Sequence, residues 1–463
     1  MHVRRTCLSV VLAAAAVCPV SAQSPAAGPP QPPATPALAQ PQGPGAPPAM
    51  LTLADALDRA RENDASFQTA VADSLSARED RVQARAGLLP AVSGTTQFIG
   101  NQANGVNPNG RFVSMDGVRM YRAWGVVRQD LSPAVLTATP LQRARALEAA
   151  SAAQAEIARR GLAVTVTRSY YALITAQRRF ATAQTAAATA ARFLDVARQQ
   201  QRLGQVAMSD VIKADIQSRQ LTQAFQEATL AVDAARLALA VLVSPTFSEN
   251  FTVVDDLASP PALPTFDQVN DLAASNNMDV RAARASLDAA RQDVRTARFA
   301  FLPTVSLEGD YGIEANVFAL HSRIAAQPEL GVLPNLGYAI TANLTVPVWD
   351  WGGLRSRLRQ TQVRTRAAQV TLTQAQREAF ARLYGLYNEA LVARAAVDNA
   401  REVADLAAES LRLTTLRYTA GESTALEVVD AQNTLVTARN AFDDAGARYR
   451  VAMAELQTLT GTF

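Results

Sequence analysis

The stretch "SAREDRVQARAGLLPAVS", Ser76–Ser93, returns without a gap as "AARQDVRTARFAFLPTVS", Ala289–Ser306. Leu89-Pro90 falls on Leu302-Pro303, and Val92-Ser93 on Val305-Ser306. Further on, Gly204 in "QRLGQVAMSD" and Gly421 in "RYTAGESTAL" keep the same order. The chain therefore reads as a duplication. The first half covers 51–243 and the second 264–463. The polar, Pro-containing stretch 244–263 joins them.

Each half spells the same series of elements. A helical segment (65–88; 278–301) is stopped by Leu-Pro, because proline lacks an N–H and disfavours helix at the residue before it. A strand follows. In "TVSLEGDYG", Thr304–Gly312, Val305, Leu307 and Tyr311 alternate with Ser306, Glu308 and Asp310. A loop rich in Asn and Gly, or in Pro, comes next (101–117; 313–336). In the second half the return strand "YAITANLTVPV" puts Tyr338, Ile340, Ala342, Leu344, Val346 and Val348 on one face. Ala339, Thr341, Asn343 and Thr345 fall on the other. Such alternation makes a sheet with one apolar and one polar face. About four strands per chain are too few to close a membrane barrel, which needs about eight. Several chains would have to pool them.

A very long helix follows each strand pair, over 140–203 and 354–418. At 1.5 Å per residue each is about 95 Å long. Each turns at its glycine into a return helix, 209–243 and 424–459. The return helix and the helix before the strands together match the long one in height. The helices are rich in Ala and carry Leu, Val and Tyr at three- and four-residue steps, as in Leu383, Tyr384, Leu386, Tyr387 and Leu391. That is a packing stripe. Arg, Gln and Thr on other faces suit contact with water, as in a hollow helical tube.

Composition narrows the function. Residues 1–22 read as a secretory leader: Arg4-Arg5, an apolar run from Leu8 to Val20, then Val20-Ser21-Ala22 as a small-residue cleavage pattern. The Pro-, Ala- and Gln-rich 23–50 reads as a tether. Cys7 and Cys18 both lie in the leader, so the mature chain would have no thiol chemistry. Beyond the leader His321 is the only histidine. Zinc sites of the Cys/His kind and Ser-His or Cys-His catalysis would all depend on that single loop residue. Acids and bases almost balance, 41 against 44, with no Lys/Arg run to mark a nucleic-acid face. After the leader no apolar run reaches the ~18–20 residues of a spanning helix. That excludes a helical membrane protein and leaves a β-barrel open.

Taken together, the duplication, "ARAGLLPAVS" and "ARFAFLPTVS", "LTVPVWDWGG" (Leu344–Gly353) and "RYTAGESTALEVVDAQNTL" (Arg417–Leu435) resemble the TolC-like outer-membrane efflux and secretion channels. The resemblance spans 51–463. It implies a mainly α fold with a small membrane β part. Three chains would share a 12-stranded β-barrel, four strands from each, continued by a trimeric α-barrel tunnel through the periplasm. It implies a homotrimer in the outer membrane, in contact with its lipid and served by a periplasmic adaptor and an inner-membrane pump. No enzyme activity, cofactor, metal or nucleic acid is called for. The two glycine turns become the hairpin tips at the periplasmic entrance, where Gly204, Gln205, Gly421 and Ser423 are candidate adaptor contacts. Ordinary turn geometry accounts for the two glycines equally well.

The family's gate falls position by position on Asp210, Tyr418, Glu427 and Asp430. Capping competes as an explanation for the acids. Thr424 and Glu427 match a capping box, and Asp210 follows Ser209 at a helix start, where negative charge suits the dipole. In a trimer these acids would form rings that favour cations and repel one another. Some members carry an arginine where this chain has Ser423, so a closed state here would rest on hydrogen bonds or packing. Two rival classes predict other patterns. A periplasmic adaptor predicts a single long hairpin with compact β domains. A coiled-coil structural or adhesive protein predicts no Leu-Pro breaks and no strand pairs.

Overall fold

The computed structural model describes residues 49–100, 119–244, 251–315, 317–321 and 334–462. The expected leader and all but the last two residues of the expected tether lie outside them, as do most of the two loops. In chain order the elements are β1 (Ala49–Leu51), α1 (Leu53–Asn63), α2 (Ala65–Ala86), β2 (Ala91–Gly100), β3 (Arg119–Asp130), α3 (Pro133–Leu136), α4 (Thr139–Arg202) and α5 (Met208–Val243). They continue as β4 (Phe251–Val253), α6 (Phe266–Asn276), α7 (Met278–Phe299), β5 (Thr304–Ala315), β6 (Leu336–Thr345), α8 (Gly353–Thr419) and α9 (Ala425–Thr460).

The first two helices of each half match down to their caps. α1 opens with a capping box from Thr52 and Asp55, α6 with one from Thr265 and Gln268. Asp64 caps α2 by accepting the Phe67 N–H, and Asn277 caps α7 by accepting the Val280 N–H. The long helices α4 and α8, 64 and 67 residues, run for about 95–100 Å at 1.5 Å per residue. They lie in a wall of four rows. α2 and α5 share the first row and pack on α4. α7 and α9 share the third, between α4 and α8.

One four-stranded antiparallel sheet collects strands from both halves, in the order β2-β3-β5-β6. The registers put the two alternations in phase: Tyr311 faces Tyr338, Leu307 faces Ala342, Val305 faces Leu344, and Tyr121 faces Phe98. One sheet face is therefore apolar, and it is bare on the single chain, with Phe98 59%, Ile340 77% and Tyr338 79% exposed. On the other face Arg122 pairs with the directly opposite Glu314 at 2.8 Å, and Arg128 with Glu308 at 3.7 Å. An apolar outer face against a polar, ion-paired one is the division a membrane barrel wall needs.

Several expectations are corrected. The return strand ends at Thr345. Pro347, which has no N–H for the ladder, leaves Val346 and Val348 beyond it. The helical segments expected at 65–88 and 278–301 are α2 and α7, but a further short helix, α1 or α6, precedes each one, separated from it at the caps Asp64 and Asn277. Ala49–Leu51, at the end of and just past the expected tether, form β1, which pairs in parallel with β4 in the stretch joining the halves. α5 starts at Met208 with Ala207 as its N-cap, not at Ser209. His321 is an exposed loop residue whose backbone makes an isolated bridge to Pro334.

The joining stretch has a structural role. Phe251, Val253 and Leu257 pack with Leu51, Val166, Tyr170, Leu173, Ile174 and Leu239 in the largest apolar core. The Tyr170 hydroxyl donates to the Val254 carbonyl at 2.8 Å, and the Tyr449 hydroxyl to the Pro261 carbonyl at 2.7 Å. The connector thus covers one face of α4 and α9. Nearby, the buried Arg160 of α4 donates to the carbonyls of Asn276 and Thr458 at 3.1 and 2.7 Å. These carbonyls lie at the C-terminal ends of α6 and α9, which would otherwise be unsatisfied. Glu156 bridges Arg159 and Arg160. The hydrogen bond from Arg159, aided by Arg160, outweighs burial and holds the Glu156 carboxyl down at about 2.

Candidate functional site

The two hairpin tips are built alike. In the first, Leu203 closes α4, the Gly204 N–H donates to the Gln201 carbonyl at 3.0 Å, and the Gln205 N–H to Gln200 at 2.9 Å. In the second, the Gly421 N–H donates to Tyr418 at 3.1 Å and the Glu422 N–H to Arg417 at 2.8 Å. These are the paired reverse bonds of a Schellman C-cap. The cap requires left-handed backbone at the glycine, and φ is +75° at Gly204 and +80° at Gly421. Gly204, Gln205 and Gly421 are exposed, whereas Ser423 is half-buried.

The elements after the turns differ. Thr424 and Glu427 form the expected capping box at the start of α9. Glu427 also lies 3.8 Å from Arg417, whose guanidinium donates to the Glu422 carbonyl at 3.2 Å. The Ser423 hydroxyl donates back to the Thr414 carbonyl at 3.3 Å. At the start of α5, by contrast, Ala207 supplies no side-chain cap. Asp210 sits in the first turn with Lys213 at 4.0 Å.

A small apolar cluster joins the hairpins just above the turns. The first hairpin contributes Phe193, Leu194, Ala197, Val211 and Ala214; the second contributes Tyr418, Ala425 and Val428. The Tyr418 ring is 3% exposed and meets Phe193 edge-on at 4.9 Å. Its buried hydroxyl makes no hydrogen bond. Burial, and after it the charge of Asp210, push that hydroxyl's pKa up. The structure thus places Asp210 close enough to Tyr418 for its charge to be felt there, without a hydrogen bond between them. Asp430 is exposed and has no ion pair among the described residues.

Sequence reading missed four participants. Phe193 and Arg417 belong to the tip contacts just described. Gln217 donates to Asn433 Oδ1 at 2.7 Å, an amide bridge between α5 and α9. Its signal was present: Gln217 continues the stripe Val211, Ala214 and Leu221, a polar side chain at a buried helical position. Among the described residues no His, Cys, Asp and Glu cluster could hold a metal, and no helix is long and apolar enough to cross a membrane. The arrangement is two hairpin ends joined by packing, with carboxylates nearby.

Residues 269–462 match the family model described as Outer membrane efflux protein. Over 425 residues the chain is 24% identical to Outer membrane protein TolC of Vibrio cholerae serotype O1, covering 89% of this chain and 90% of that protein. It is 34% identical over 166 residues to Pyoverdine export outer membrane protein OpmQ of Pseudomonas putida, 35% of this chain and 32% of that protein. The crystal structure of outer membrane protein VceC of Vibrio cholerae shares the fold, with a TM-score of 0.74 at 18% identity over 88% of this chain and 96% of that one. With the same turn at both hairpin tips, and its second half matching that family model, the chain resembles the TolC-like outer-membrane efflux channels in sequence and fold.

Proposed function

We propose that this outer-membrane channel, a homotrimer that works with a periplasmic adaptor and an inner-membrane pump, opens and closes at its paired hairpin tips. It is a passive conduit and not an enzyme. Three four-stranded sheets close the barrel in the membrane, and the helices carry the passage into the periplasm. The observation that carries the gate reading is the slightness of the join between the hairpins. One apolar cluster around Tyr418 and one amide bridge connect their ends, so the second hairpin can swing on few contacts. Asp210, Glu427 and Asp430 then set the charge of the entrance, with Asp430 the freest to face permeating ions.

An adaptor that binds the parted arrangement better than the closed one shifts the population toward it. Gly204, Gln205 and Gly421, exposed at the turns, are the proposed contacts. Ser423, whose hydroxyl is already committed to Thr414, fits a part inside the tip better than one at the adaptor.

Planar-bilayer recordings test the gate. Tyr418→Ala should raise single-channel conductance by removing the ring that joins the hairpins. Asp430→Ala should weaken cation preference with little change in conductance. Wild-type conductance and selectivity in both variants would remove the gate from these residues.

A further inference from the structure

The wall formed by α4 and α9 has two faces of opposite character. The connector covers one of them through Tyr170, Tyr449 and Gly446, whose missing side chain makes room for Leu257. On the opposite face Arg168, Ala172, Thr175 and Arg179 of α4 recur at steps of three and four, as do Asp444, Arg448, Val451 and Glu455 of α9. Here three ion pairs cross between helices. Arg168 meets Glu455 at 3.0 Å and Arg179 meets Asp444 at 2.5 Å, both from α4 to α9. Arg448 of α9 meets Glu389 of α8 at 2.6 Å.

This face is also concave. A single hollow of about 540 Å³ is lined from all four rows of the wall, with Ala231 of α5 at one side and Glu389 of α8 at the other. Four successive rows of helices can share one hollow only on the inner side of their curve. The outer side is where the connector lies.

We infer that this concave face lines the tunnel, and that its three Arg–carboxylate pairs form a charge-compensated girdle that lets cargo of either sign pass the middle of the channel. The inference rests on the channel reading and adds what the passage tolerates. A narrow, low-dielectric passage lined by one sign of charge would concentrate counter-ions and hold back co-ions. Here each guanidinium has a carboxylate within ion-pair distance, so the field a permeating group meets is that of a dipole and falls off quickly. Sign preference is then left to the tips, where Asp430 has no ion pair among the described residues. Cargo as different as an organic cation and a carboxylate-bearing metabolite would cross this level without an electrostatic barrier.

Reversal potentials across bilayers in a KCl gradient test this. Asp444→Asn, Glu455→Gln and Glu389→Gln each leave an arginine uncompensated and should raise the chloride-to-potassium permeability ratio several-fold. Arg179→Gln should lower it, and Arg179→Gln with Asp444→Asn should restore the wild-type ratio. Attaching a bulky thiol reagent to the Ala172→Cys variant, substituted between Arg168 and Arg179, should reduce conductance; this arm disturbs no ion pair and so covers the case in which a neutralised variant fails to assemble. Charge variants that conduct with wild-type selectivity, together with a labelled Ala172→Cys channel that conducts normally, would overturn the inference and leave the channel standing. A wild-type trimer that forms no pore would instead overturn the channel reading itself.

Discussion

The two hairpin tips share a turn and differ in what holds the helix after it. At the second tip a capping box, the Arg417 contacts and the Ser423 hydroxyl all act within a few residues of Gly421. At the first tip α5 begins on an alanine without a side-chain cap. The halves share the Schellman turn, which dictates the chain reversal, and differ at the helix starts. A symmetric fold can therefore present two ends of unequal stiffness, and a gate needs one part that stays while another moves. The second hairpin is the better-braced unit within itself, so it can move as a body while the first deforms.

The largest blow to this comparison comes from the contact the tips share. Tyr418→Ala removes a buried ring from the joint cluster and should destabilise it by about 3–5 kcal/mol. Amide hydrogen exchange should then rise at both tips. A rise confined to the second hairpin would mean that the cluster does not couple them. Tyr418→Phe should be close to silent in the same measurement, because the hydroxyl it removes has no hydrogen bond to lose.

Next in size are substitutions of the glycines. Alanine at φ near +75° to +80° is strained by about 1–2 kcal/mol, so Gly204→Ala and Gly421→Ala should lower the thermal transition similarly. Unequal losses would show that the turns, and not only the helix starts, have diverged. A control of comparable size lies far from both tips. Glu156 has its carboxyl depressed to about 2 from an ordinary 4.5. The depressed value means that its stabilisation is full above about 4.5 and disappears as pH falls toward 2. After discounting for partial exposure, Glu156→Gln should cost about 1–2 kcal/mol at neutral pH. The difference should vanish near pH 2 in denaturation curves, with no bias between the hairpins.

A smaller change sharpens the asymmetry directly. Thr424→Ala should cost about 1 kcal/mol by removing the cap, and the start of α9 should then exchange as fast as that of α5. Ala207→Ser should slow exchange at the start of α5. The smallest effect belongs to Arg417→Ala, whose contact with Glu427 is exposed and should be masked by salt.

Much of the architecture was legible because its signals are local. Leu89-Pro90 and Leu302-Pro303 stop helices by covalent geometry. The alternation through Tyr338–Leu344 gives a two-faced strand, and Gly204 and Gly421 announce reversals. The helix starts after Asp64 and Asn277, both good N-caps, were legible as well, whereas α1 and α6 before them, 11 residues each, were too short to stand out. Contacts between segments far apart in sequence left no readable trace. Nothing in Ala49–Leu51 says that it pairs with Phe251–Val253, some 200 residues away. Nothing local to Arg168 names Glu455 as its partner. At the candidate gate the residue types were legible from the family's pattern. The buried, unbonded hydroxyl of Tyr418 was not, because burial there depends on a helix from the other hairpin.

The sheet ends on β2 at one side and β6 at the other, and among the described residues neither has a partner strand on its outer edge. Each protomer thus leaves two seams to be completed by its fellows, and a damaged seam spoils the ring for intact copies as well. In a cell that makes sound and seam-defective chains together, the loss of working pores should exceed the fraction of defective protein. Faults in β2 or β6 would then behave as dominant, while faults confined to a hairpin tip would be diluted by the sound subunits beside them.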